Sequence, residues 1–176
     1  MEISIAFEAA MAANDLDAAR EALGDPPDWP NSIDPYMHST VLQAALGASS
    51  LATIQRLLDL GADPNLMPVQ DGFPALVDVL HHRRDDRPEL TYKWTDRNDM
   101  LRALLAAGAD VHARGLNDWT ALHLAVMADD PEAVQLLLDH GADPHAATRI
   151  DDFESPLDIA ESSAPKALEV LRRWRG

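Results

Sequence analysis

Thr120-Ala121-Leu122-His123-Leu124-Ala125 is followed, 21 residues after its first member, by Gly141-Ala142-Asp143-Pro144-His145. Thr40-Val41-Leu42-Gln43-Ala44-Ala45 stands at the same distance of 21 from Gly61-Ala62-Asp63-Pro64-Asn65. A third Gly-Ala-Asp begins at Gly108, and Ser155-Pro156-Leu157-Asp158-Ile159-Ala160 restarts the first segment. Starts at Thr40, Pro74, Thr120 and Ser155 are separated by 34, 46 and 35 residues. Self-similarity at a period near 33 marks a solenoid, whose units bury their apolar faces only against neighbours. The longest spacing places an insertion inside one unit.

Within the unit running from Asn117 to His145, Thr120 caps a short helix whose Leu122, Ala125 and Val126 recur at helical spacing. Asp129-Asp130-Pro131 turns the chain and opens a second helix, with proline in the first turn and acids suiting the dipole. Val134, Leu137 and Leu138 form its apolar stripe, and Gly141 ends it in a left-handed cap. The unit from Tyr36 to Asn65 repeats this with Leu42, Ala45, Leu46, Ile54, Leu57, Leu58 and Gly61. The third unit starts irregularly at Phe73-Pro74-Ala75-Leu76 and returns to pattern at Met100-Leu101-Arg102-Ala103-Leu104-Leu105. Pro74 and Gly108 are 34 rather than 21 residues apart, so thirteen extra residues lie near 84–95.

These motifs closely resemble the ankyrin repeat family, most strongly over residues 38–160. The resemblance implies an all-α solenoid of stacked helix–turn–helix–loop units in one domain of residues 1–176. The expected units are a cap at 1–31, then 36–68, 69–115 with its insertion, 116–148, and a second cap at 151–176.

The formal charge of −16 and pI near 4.5 argue against binding a phosphate backbone. Residues 1–82 hold two basic and twelve acidic side chains, and residues 103–165 repeat those counts. Residues 83–102 are near neutral, with six basic and five acidic groups, and 166–176 is net +3. Such a balance favours a basic protein partner, or serves solubility alone. The chain has no cysteine, which excludes disulfides and thiolate metal sites. Glu2 and Glu8 stand where a signal peptide would be basic and then apolar, and no apolar run reaches membrane-spanning length. A soluble, cytoplasmic monomer without nucleic-acid or membrane partners is expected. Twelve Arg against two Lys points to a GC-rich bacterial genome.

No catalytic motif is present, and no cofactor is expected. His123 suits a hydrogen bond to neighbouring backbone, and His112 and His145 recur with the Gly-Ala-Asp loops. Asp78, His81 and His82 form the sole suggestion of a metal site, at a spacing common by chance. Loop aspartates at 63, 71, 110, 118, 143 and 151 suit turn formation.

Partners of ankyrin proteins usually lie along loop tips and the exposed face of each unit's first helix. By that resemblance the binding residues are Tyr36, Met37 and Ser39 in the second unit, and Val69, Gln70, Phe73, His81 and His82 in the third. Leu116, Asn117, Trp119 and Met127 follow in the fourth, and Asp151, Asp152 and Glu154 in the fifth. Large apolar groups rimmed by charge are typical of protein interfaces. Phe73 and Trp119 have an alternative use, stacking between adjacent loops. Tyr92 and Trp94 of the insertion are further candidates, since long loops on rigid scaffolds often bind. The expected function is non-enzymatic protein binding, as an inhibitor or immunity-type protein. The open alternatives are an adaptor or regulatory scaffold and, in other classes, a metal-dependent enzyme or an acidic mimic of nucleic acid.

Overall fold

The computed structural model describes residues 2–34, 39–48, 50–67, 73–81, 97–149 and 154–174. Their helices are α1 (Glu2–Ala12), α2 (Leu16–Ala22), α3 (Val41–Ala48), α4 (Leu51–Asp59), α5 (Ala75–His81), α6 (Arg97–Ala106), α7 (Ala121–Met127), α8 (Pro131–Asp139), α9 (Pro156–Ser163) and α10 (Pro165–Arg173). Among the described residues no strand forms. Two isolated antiparallel bridges, Ile33 to Thr40 and Arg114 to Thr120, close loops just before a first helix. The fold is therefore all-α, built from helix–turn–helix–loop repeats.

Contacts divide the chain into two compact units, Met1–Ala109 and Asp110–Gly176. In the first, α1 packs on α2 and α3, α3 on α4 and α5, and α6 on α4 and α5. In the second, α7 packs on α8, α9 and α10, and α10 also on α8 and α9. First helices thus stack on first helices and second on second, which is how a repeat buries an apolar stripe too small to form a core alone.

The buried side chains fall on the repeated register. Leu42, Leu46, Ile54 and Leu57 are sealed in the first unit, and Leu122, Val126, Val134 and Leu137 in the second. Alanines 45, 121, 125 and 133 are fully buried between them, their small side chains allowing close helix approach. Gly61, Gly108 and Gly141 take φ of 92°, 88° and 90°, the left-handed conformation that ends a second helix and that glycine adopts without strain. The irregular third unit keeps register, since α5 begins directly after Pro74, where other first helices follow Thr40, Thr120 or Ser155. The insertion near 84–95 lies outside the described residues.

Candidate functional site

Three first helices open on a hydroxyl residue joined reciprocally to the third helical residue. Thr40 donates its N–H to Gln43 Oε1 (3.0 Å) and accepts the Gln43 N–H on Oγ1 (3.1 Å). Ser155 donates to Asp158 Oδ2 (2.9 Å) and accepts the Asp158 N–H on Oγ (3.2 Å). Thr120 donates its N–H to His123 Nδ1 (3.1 Å), and its hydroxyl accepts the return bond. Each box satisfies two donors that a helix N-terminus otherwise leaves unpaired.

Gln43 and His123 each also carry a side-chain nitrogen outside the box, and both use it to hold the next repeat. Gln43 Nε2 donates to the carbonyl of Phe73 at 2.5 Å, and His123 Nε2 lies 3.2 Å from the carbonyl of Glu154. Phe73 and Glu154 each stand just before the next first helix, so the two tethers are equivalent. Nδ1 of His123 faces an N–H and must accept, which leaves the hydrogen on Nε2. The ring is fully buried, and that burial pushes its pKa below the ordinary histidine value, against the pull of the Glu154 carbonyl. A neutral imidazole results. Val77 holds this register in the third unit and has no polar side chain; ionised Asp158 holds it in the last and has no donor.

The loops are held by carboxylates and amides. Asp63, Asp110 and Asp143 each accept the N–H two residues on, from Asn65 (2.8 Å), His112 (2.9 Å) and His145 (2.8 Å). Asn31 Nδ2 reaches the Gly61 carbonyl (3.1 Å) and Asn65 Nδ2 the Gly108 carbonyl (2.9 Å), tying successive loops of the first unit. Asp71 and Asp151 lie outside the described residues.

Asp118 is the strongest electrostatic node described. Buried and at φ of 63°, it takes Arg114 on Oδ2 (2.7 Å) and Arg149 on Oδ1 (2.6 Å), together with the Arg149 N–H (2.8 Å). The Arg149 hydrogen bonds hold its carboxyl far below the usual carboxylate range, with Arg114 adding to the effect and burial opposing it. Arg114 also donates to the carbonyl of Ala147 (3.2 Å). The two cations of residues 103–165 thus converge on one carboxylate.

Inner turns act across repeats too. Asn14 (φ 60°) accepts the Ser50 N–H and the Thr53 hydroxyl, both at 2.7 Å. Asp129 (φ 48°) accepts the N–H groups of Lys166 (2.8 Å) and Ala167 (2.9 Å), capping α10, whose own N-cap Ala164 has no side chain to do so.

Of the residues expected to bind, Phe73 and Trp119 are half-buried, while Asn117 and Glu154 are exposed and Met127 is 50% exposed. Asn117 and Trp119 lie just before α7 and Met127 is its last residue, so α7 separates them by about 10 Å along its axis. Phe73 belongs to the other compact unit. His81 ends α5, and Leu116 opens a single 3-10 turn with Asn117 and Asp118. Tyr36, Met37, Val69, Gln70, His82, Tyr92, Trp94, Asp151 and Asp152 lie outside the described residues. Ser39 is half-buried and its carbonyl accepts the Asp34 N–H at 2.9 Å. Asp78 is buried in α5, and among the described residues no three of His, Asp and Glu stand together as metal ligands. None of the described helices is long and apolar enough to cross a membrane.

Sequence reasoning did not find the Gln43 tether, the Arg114–Asp118–Arg149 clamp or the caps from Asn14 and Asp129. A signal existed for the first two. Gln43 and His123 both stand three residues after a threonine, and Arg114 and Arg149 are 35 apart, as are Thr120 and Ser155.

The family model for the ankyrin repeat matches residues 117–149, the stretch that contains the Thr120 box, α7 and α8. The chain belongs to the ankyrin repeat family. Over 71 residues it is 42% identical to "Ankyrin repeat and SOCS box protein 6" of Mus musculus, covering 40% of this chain and 16% of that protein. It is 49% identical over 76 residues to a "Putative ankyrin repeat-containing protein" of Treponema pallidum, covering 43% and 26%. The human "Mitochondrial disaggregase" is 41% identical over 155 residues, covering 76% of this chain but 21% of that protein. The chain thus spans about a quarter or less of these relatives, and what is shared is ankyrin sequence. Ankyrin repeats are protein–protein interaction modules, and the function of this chain is read at that level.

Proposed function

We propose that residues 1–176 act as one non-enzymatic binding domain that occludes a basic protein, as a cytoplasmic bacterial inhibitor or immunity-type protein and as a monomer. The observation that carries the partner's chemistry is the fate of the cations. In residues 103–165 both basic groups are engaged with Asp118, against twelve acids in the same stretch. The face left for a partner is therefore negative. It steers basic proteins and repels nucleic acid, whose affinity needs free Lys and Arg.

Anchors for such a partner are Trp119 and Phe73 at the starts of first helices and Met127 at the end of α7, with Asn117 and Glu154 as polar rim. Tyr36, Met37, His81, His82, Tyr92, Trp94, Leu116, Asp151 and Asp152 are further binding candidates in this reading, carried by the family resemblance. Half-buried aromatics beside rigid helix ends lose little entropy on binding, which suits them as hot spots. A pull-down from the native host tests the proposal. Capture of a basic protein whose activity falls on binding supports it. Capture of an acidic protein, or saturable submicromolar binding of duplex or single-stranded DNA near 0.15 M salt, overturns it.

A further inference from the structure

The Thr120 and Ser155 repeats are joined by two polar fasteners that protonate over different ranges of pH. One is His123, accepting from Thr120 N–H and donating to the Glu154 carbonyl. The other is Asp118, held by Arg114 and Arg149. We propose that protonation of His123 is a local release: on acidification the imidazole leaves its site, the joint opens at Thr120 and Glu154, and the Asp118 clamp stays closed as a pivot.

The geometry carries this. A proton on Nδ1 would face the Thr120 N–H across 3.1 Å, two donors pointing at each other, with only the Thr120 hydroxyl at 2.9 Å able to turn and accept from it. The new charge would also sit on a ring with no exposed surface. Near it, Arg114 repels an imidazolium; Asp118 attracts one but is already engaged by both arginines. α7 carries no other ionisable group. Glu132 and Asp139 on α8, Asp158 and Glu161 on α9, and Lys166, Glu169, Arg172 and Arg173 on α10 are all exposed, as is the Glu154 carboxylate. Asp158 is bonded to Ser155. Half-buried Asp130 caps α8, and half-buried Asp129 caps α10. The imidazolium is therefore hydrated only by leaving, and its departure leaves the Glu154 carbonyl held by the Thr148 N–H alone.

The pH window follows. A histidine in water titrates near pH 6.5. The closed form binds its proton at lower pH than the open form does. Below about 6.5 the open form alone gains a proton, and opening grows about tenfold per pH unit until the closed-form value is reached. Asp118 stays ionised throughout, because its arginines hold it far below this range. The equivalent tether in the first unit, Gln43, does not titrate. The device is independent of which protein is bound.

Backbone-amide protection of the full chain, measured by hydrogen exchange and NMR at pH 7.5, 6.5 and 5.5, tests it. Thr120 N–H bonds to His123 and Thr148 N–H to the Glu154 carbonyl; Arg149 N–H bonds to Asp118 and Thr40 N–H to Gln43. Expected is a protection loss of several-fold to about tenfold per pH unit below 6.5 at Thr120 and Thr148, with Arg149 and Thr40 unchanged. In His123→Gln all four stay flat. Flat protection at Thr120 in the wild type, parallel loss at all four amides, or the same loss in His123→Gln overturns the proposal. Should His123→Gln not fold, the wild-type imidazole nitrogen shifts decide: titration at or above 6.5 overturns it, and titration below 6.5 together with the selective loss supports it.

Discussion

Arg149 reaches Asp118 at 2.6 Å from a position 31 residues away, and that single contact ties the loop before α7 to the loop before α9. Asp118→Asn keeps a residue tolerant of left-handed backbone but removes the charge from both arginine contacts. Urea unfolding should show a loss of about 1–3 kcal/mol, toward the lower end because Arg149 is 78% exposed and screened by solvent. The wild-type contribution from this carboxylate is complete above the unfolded pKa of about 4. It is lost only as pH falls through the much lower folded value. A wild-type and Asp118→Asn pair should therefore differ equally at pH 7 and pH 5.

Gln43 closes the helix box and tethers Phe73, so Gln43→Ala removes both and should cost about 1–3 kcal/mol. Gln43→His is the more telling change. Urea midpoints should match wild type at pH 7.5 and fall below it under pH 6.5, since a buried neutral histidine stabilises only above its unfolded pKa.

Asp129 caps α10 from another repeat. Asp129→Ala should cost about 1 kcal/mol and raise amide exchange at Lys166 and Ala167, with little change at Ala133, which Asp130 caps. Asp129→Gly accommodates the φ of 48° and still loses the cap, so it separates backbone strain from hydrogen bonding.

Trp119→Ala and Phe73→Ala should each weaken partner binding by about 2 kcal/mol or more if they are buried anchors. Their thermal stability should fall less than that of Leu137→Ala, a fully buried deletion expected to cost about 2–5 kcal/mol. Equal destabilisation by Trp119→Ala and Leu137→Ala would show instead that the indole holds loops together.

Association with a basic partner should be fast at low salt and slow as salt rises, because steering by exposed acids is screened. A salt-independent on-rate measured by stopped flow would leave the acidity a solubility device and the aromatics as sole anchors.

Helix positions, the glycine ends of second helices and the buried stripe were all legible, because each follows from local periodicity repeated several times. Pro74 was legible as a helix start for the same reason. What escaped were bonds between repeats. Arg114 and Arg149 stand far from Asp118 or beside it without a motif, and only the stacking of loops brings them together. Asp129 resembles an ordinary turn residue until α10 is laid against it. Surface recognition is less legible still. Trp119 and Phe73 share a register chosen by the fold, and half-burial there serves packing or binding alike.

Gln43, His123 and Asp158 occupy one position with different chemistry, and this gives the array a direction of growth. A residue that accepts behind and donates ahead can be followed by another repeat; an ionised aspartate that only accepts cannot hold one in this way. Gene duplication of the Thr40 or Thr120 repeat would thus insert a copy already equipped to hold its successor. A repeat placed behind Ser155–Arg173 would arrive without that tether, unless Asp158 changed first to a side chain with a donor.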